Sequence, residues 1–189
     1  MDIVARVKAI LTTPNTEWPV IEAEASSVES IYKDYVIYLA AIPAIAGFIG
    51  TSLIGISVPV LGTVRVGFVS GIIGAIVSYG LQLAAVYVLA YVTDFLAVNF
   101  NGQKNFLNAF KLAAYSMTAA WLAGIFAILP LLAILGIVGL YSLYLFYVGL
   151  PVLMKSPADK SLMYTGAVLI AGIVVNVVIG LIVRLVIGV

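Results

Sequence analysis

The side chains with chemistry to offer are few, and most lie inside apolar stretches. Tyr87, Tyr91 and Asp94 are spaced by four and then three residues, which sets them near one face of a helix. Gln82 and Tyr79 fall a turn or more deeper. A carboxylate in hydrocarbon is costly and demands a partner or an aqueous cavity. Two chemistries therefore fit Asp94. It can pair with Lys111, which begins the next apolar stretch, or it can line a cavity as a proton- or cation-responsive group. A second set, Tyr141, Tyr144 and Tyr147, recurs every third residue. Tyr141 and Tyr144 are deep enough to want hydrogen-bond partners, and Tyr115, Ser116, Thr118 and Asn176 are the candidates. Such a set is either a polar substrate path or interhelical glue, worth less than about 1 kcal/mol per bond.

Catalysis has little to work with. The 189 residues include no cysteine and no histidine, so serine–histidine and thiolate mechanisms cannot be assembled. Their absence also removes the commonest metal ligands. A two-carboxylate mechanism lacks a second acid at depth. Asp159 belongs to a connection, and the remaining acids precede the first long apolar stretch. The residues thus predict a non-enzyme with no catalytic, cofactor or metal site. A net charge of +1 gives no basis for binding nucleic acid.

The elements that must position these groups are five apolar stretches, roughly Tyr35 to Val60, Gly67 to Val92, Phe110 to Leu129, Leu131 to Met154 and Tyr164 to Ile187. Each can cross a hydrocarbon core about 30 Å thick at about 1.5 Å per residue. A composition 64% hydrophobic and 9% charged agrees. The fold class is an all-α polytopic membrane protein, five transmembrane helices with short amphipathic N-terminal helices, embedded in the lipid bilayer. Five crossings put the termini on opposite sides. Arg6, Lys8, Lys33, Lys104, Lys111, Lys155 and Lys160 then share one side, against Arg65 and Arg184 on the other. This bias predicts a cytoplasmic N-terminus and an external C-terminus. Pro130, which cannot continue a helix, predicts a tight hairpin between the third and fourth spans.

Residues 1–34 read as a cytoplasmic or interfacial segment and 35–189 as the membrane domain. The opening MDIVARVKAILTTP is not expected to form a cleavable signal, because Arg6 and Lys8 break its brief apolar run. Thr16 is expected to cap a turn containing Pro19, with Trp18 as an interfacial anchor. Ser26 and Glu29 have capping-box spacing. Trp18, Tyr32, Asn101, Gly102 and Lys104 are the surface candidates for a membrane or peripheral protein partner. Gly67 and Gly71, with Gly74 on an adjoining face, offer a small-residue surface for packing within the monomer or for a homo-oligomer seam.

Leu11-Thr12-Thr13-Pro14 with Trp18 and Ile21, the opening Tyr35–Gly47, and Asn99-Phe100-Asn101-Gly102-Gln103-Lys104 recur in one known family. So do Lys111–Ser116 with Thr118 and Trp121, Pro130, the run Tyr141–Pro151, and Tyr164-Thr165. In their order and spacing the chain resembles a prokaryotic-type member of the Yip1 domain family. Ala119 follows Thr118 where relatives often carry proline. The resemblance implies a five-span fold in the plasma membrane. Eukaryotic relatives are associated with Rab-type GTPases and vesicle traffic. The expected function is a membrane scaffold or adaptor linked to membrane organisation or trafficking; the alternative is a small-solute or ion transporter or channel.

Overall fold

The computed structural model describes residues 2–58 and 62–187. Among the described residues, five helices are long and apolar enough to cross a membrane: Val28–Ile54, Phe68–Phe100, Phe106–Ile128, Ile134–Met154 and Ala158–Val186. They correspond to the five predicted crossings, and the protein is an all-α polytopic membrane protein. Their ends differ from expectation. The first span stops at Ile54, where Gly55 takes a φ of 87° and the chain leaves the helix. The expected end at Val60 lies outside the described residues. Beyond Gly55 a short antiparallel pair, β1 (Ile56–Val58) and β2 (Gly62–Val64), leads to the second span. The second span runs on past Val92 through Asp94 to Phe100, and the fifth begins earlier than predicted, at Ala158.

Two short helices precede the spans, α1 (Ile3–Thr12) and α2 (Pro14–Ala23). Asp2 caps α1 by accepting from the amides of Val4 at 2.9 Å and Ala5 at 3.1 Å. Pro14 opens α2 at a position where its missing N–H costs nothing. Thr16 is therefore inside α2 rather than its cap, and its hydroxyl bonds the Thr13 carbonyl at 3.0 Å. The expected capping box is displaced by one residue. Ser27 and Ser30 exchange side-chain and backbone hydrogen bonds, and the helix of the first span begins at Val28.

The first span winds as a π-helix at Tyr32–Val36 and again at Ile49–Ile54. Pro43 interrupts its ladder and lies against Gly124 of the third span, where a Cβ would come within 2.6 Å of Pro43 Cβ. Gly71 of the second span faces Ser52 and Phe48 of the first, with no room for a side chain. That face packs inside the monomer. The helix between the third and fourth spans breaks at Leu129, whose φ and ψ are −111° and 105°, and restarts with Pro130. This is the predicted hairpin.

Burial is concentrated at the end of the bundle that carries α1 and α2. Trp18, Ile21, Tyr35, Phe110, Leu112, Leu145, Leu150 and Tyr164 are almost wholly enclosed there. Elsewhere the spans turn large apolar side chains outward, among them Ile76, Ile134 and Leu185, as a lipid-facing surface requires.

Candidate functional site

The densest polar constellation lies where the α1–α2 hairpin meets the third span. Lys111 is 2% exposed, and its Nζ donates to three backbone carbonyls at the end of α2: Ile21 at 2.8 Å, Glu22 at 3.2 Å and Glu24 at 2.8 Å. Carbonyls at a helix C-terminus have no partner within the helix and carry its negative pole, so a buried ammonium suits them. Arg6, 9% exposed, bridges the carboxylates of Glu17 and Glu24 and lies 5.7 Å from the Tyr115 ring centroid. Lys155 ties the loop after the fourth span to Glu22 at 2.6 Å. The Tyr35 ring lies tilted beside that of Tyr115 at 4.7 Å, and its hydroxyl meets Thr118 at 2.6 Å. The arrangement is an electrostatic clamp. It holds charge in fixed pairs and offers no unpaired nucleophile or base.

The expected Asp94–Lys111 ion pair is not formed. Lys111 points to the hairpin carbonyls instead, an arrangement no side-chain spacing encodes. Asp94 is half-buried at the far end of the second span, and its Oδ1 is enclosed with no hydrogen-bond partner. The Tyr87–Tyr91–Asp94 stripe also divides. Tyr87 and Tyr91 are exposed to the lipid side, and the Tyr87 ring lies tilted against Phe106 at 5.1 Å. Next to Asp94, Thr93 is fully buried and its carbonyl accepts from Tyr164. Stability measurements on Asp94→Leu, Lys111→Leu and the double variant are expected to add to within about 0.5 kcal/mol. Rescue of one substitution by the other would restore the ion pair.

Trp18 is not an interfacial anchor. It is fully buried, lying over Gly149 beside Leu112, because the hairpin docks into the bundle rather than along the membrane. Tyr32 is half-buried, with its ring on Phe110 at 5.0 Å and its hydroxyl on the Leu83 carbonyl at 2.8 Å. It fastens the first span to the second and is only partly available as a surface. Asn101 and Lys104 are exposed. Asn101 adopts φ 57°, Gly102 packs where a Cβ would meet the Met154 carbonyl at 2.9 Å, and the Gln103 amide donates to that carbonyl at 2.7 Å. The turn is thus held rigidly against the end of the fourth span.

Gln82, Tyr115 and Tyr144, proposed with Asn176 as a path, do not converge on it. Gln82 bonds Ser78 at 3.4 Å, and Tyr115 belongs to the clamp. Tyr144 is exposed and stacks on Tyr141 at 5.3 Å, whose hydroxyl reaches the Leu11 carbonyl of α1 at 3.0 Å. Asn176 bonds the Gly172 carbonyl at 2.9 Å. Arg6, Glu17 and Glu24 were missed as a set. The buried surface that pairs them forms only once α1 folds back on α2, bringing together residues 11 and 18 positions apart.

A Yip1 domain model matches residues 8–179. The inner membrane protein YohC of Escherichia coli strain K12 is 29% identical over 175 residues, covering 90% of each chain. YohC of E. coli O6:H1 strain CFT073 is similar to the same extent. No solved structure matches. The family is non-catalytic, and among the described residues no three His, Cys, Asp or Glu side chains gather to hold a metal. These likenesses are to bacterial integral membrane proteins. With a match running from residue 8 to residue 179, this five-span chain belongs to the Yip1 domain family.

Proposed function

We propose that the protein is a membrane scaffold or adaptor whose working surface is the rigid face built from the α1–α2 hairpin, the turn at residues 101–105 and the loop at residues 155–157. One observation carries this reading: the hairpin, closed on itself by Arg6, is clamped to the bundle through Lys111 and Lys155, and the turn is bonded to Met154 beside Lys155, so these three segments form one fixed surface. Its mechanism is positioning. Because seven of the nine basic residues belong to this end, the reading puts it in the cytoplasm and the C-terminus outside. Residues 1–34 are then a cytoplasmic segment folded into the domain formed by 35–189. The scattering of Gln82, Tyr115, Tyr144 and Asn176 weighs against a solute path through the monomer.

Lys104 is exposed and lies over the Phe95 ring at 5.8 Å, a contact whose loss costs about 0.5 kcal/mol. Lys104→Glu therefore leaves the fold intact while reversing charge on the proposed face. Cross-linking in native membranes is expected to recover a stoichiometric partner with the wild-type protein and at least tenfold less with Lys104→Glu. Recovery of no partner would overturn the reading, as would solute flux in proteoliposomes that is lost in Asp94→Asn.

A further inference from the structure

A cavity of about 460 Å³ lies among the second, third, fourth and fifth spans, within the size range of small-molecule sites. Leu89, Phe146 and Val168 make it apolar, and none of its lining side chains is ionisable. Ser116 and Thr165 are exceptions to that apolar character. They are 3% and 9% exposed, they line the cavity, and their hydroxyls have no hydrogen-bond partner. Membrane helices ordinarily satisfy such groups on a carbonyl four residues back. Thr93 does so on Leu89 at 2.7 Å, and Asn176 on Gly172 at 2.9 Å. Ser116 and Thr165 do not, and a buried hydroxyl without a partner costs about 1–3 kcal/mol. Asn176, at the rim, retains hydrogen-bonding capacity beyond its single bond.

Depth narrows what can satisfy them. Ser116 follows Lys111, the last charged residue of the third span, by five residues. At about 1.5 Å per residue it lies about 7 Å beyond that clamped ammonium, within the uncharged part of the span. A phospholipid would bring a charged headgroup, for which the cavity lining holds no ionisable partner. The mouth includes Ile173 and Val177, both exposed on the lipid-facing side of the fifth span. We propose that this cavity is a binding site for an uncharged lipid with a carbonyl or hydroxyl oxygen on a long apolar body, entering sideways from the bilayer, its oxygen hydrogen-bonded by Ser116 and Thr165.

The test uses the full-length protein in phospholipid nanodiscs and three diazirine-bearing probes: a long-chain dialkyl ketone, the matching alkane, and a phosphatidylglycerol labelled in its acyl chain. Wild type is expected to be labelled at cavity residues about tenfold more by the ketone than by the alkane, the discrimination two membrane hydrogen bonds provide. Ser116→Ala with Thr165→Val should erase that preference while leaving alkane labelling unchanged. Should the pair impair folding, Ile173→Trp, at a lipid-exposed position, blocks the mouth and should cut ketone labelling about tenfold in a protein of unchanged melting temperature. Equal labelling by ketone and alkane would overturn the proposal. So would equally strong labelling of the same residues by phosphatidylglycerol, which marks an ordinary groove for bilayer lipid. Full ketone labelling of a folded Ile173→Trp protein would overturn it too.

Discussion

Trp18→Ala is expected to lower stability by about 3–5 kcal/mol, the cost of deleting a large aromatic from a closed core. The indole is wholly enclosed and fills the space over Gly149 and beside Leu112. Removing it opens a void between the hairpin and the third and fourth spans. The measurement is reversible unfolding of the purified protein in mixed micelles. A paired substitution identifies the cause. A Cβ at Gly149 would stand 2.5 Å from Trp18 Cε2 and 2.7 Å from Leu112 Cδ1, so Gly149→Ala alone should destabilise by overpacking. In the Trp18→Ala background the added methyl occupies part of the void, and the two effects should fall short of additivity by more than about 1 kcal/mol. Simple additivity would mean that Trp18 does not rest on Gly149.

Arg6→Leu should be nearly as damaging, by about 3 kcal/mol, although leucine suits α1 well. The loss comes from what remains. Glu17 is only 15% exposed, and without the guanidinium its carboxylate is enclosed beside apolar neighbours. Glu24, at 37% exposure, can recover water and contributes less. Arg6→Leu combined with Glu17→Leu should therefore regain most of the lost stability, whereas Arg6→Leu with Glu24→Leu should regain little. Equal rescue by both partners would show that the clamp is not divided in this way. Deleting residues 1–25 is expected to open the bundle itself, since this segment supplies both Trp18 and the clamp.

Residue type made the membrane architecture readable. Apolar length located all five spans, and Pro130 located the third–fourth hairpin, because both act through local rules that hold wherever the segment is packed. Helix ends were less legible. Ser26 and Ser27 are both competent caps, and the choice between them depends on which hydroxyl meets its reciprocal partner, here Ser30. The π-helical turns at Tyr32–Val36 and Ile49–Ile54 left no mark in the apolar pattern. Lys111 was misassigned for a deeper reason. Sequence reasoning matches charges to charges, whereas this ammonium is satisfied by backbone carbonyls that every segment possesses. Trp18 was misplaced because an aromatic near a membrane surface and an aromatic in a docked hairpin have the same sequence signature. The orphan hydroxyls of Ser116 and Thr165 were unreadable too, since either could have bonded its own helix.

The hairpin's docking also constrains the order in which the chain matures during synthesis. Residues 3–23 leave the ribosome before the groups that dock them to the bundle: Lys111, then the Tyr141 hydroxyl on Leu11, Gly149 under Trp18, and Lys155 on Glu22. The Leu11–Tyr141 contact spans 130 residues of chain. The hairpin therefore cannot nucleate folding, and long-range contacts of this kind form slowly. It waits beside the membrane with Trp18 uncovered until the fourth span has inserted. Its closure is the last event on that side, and a ribosome stalled before residue 141 leaves the segment open to proteases and chaperones.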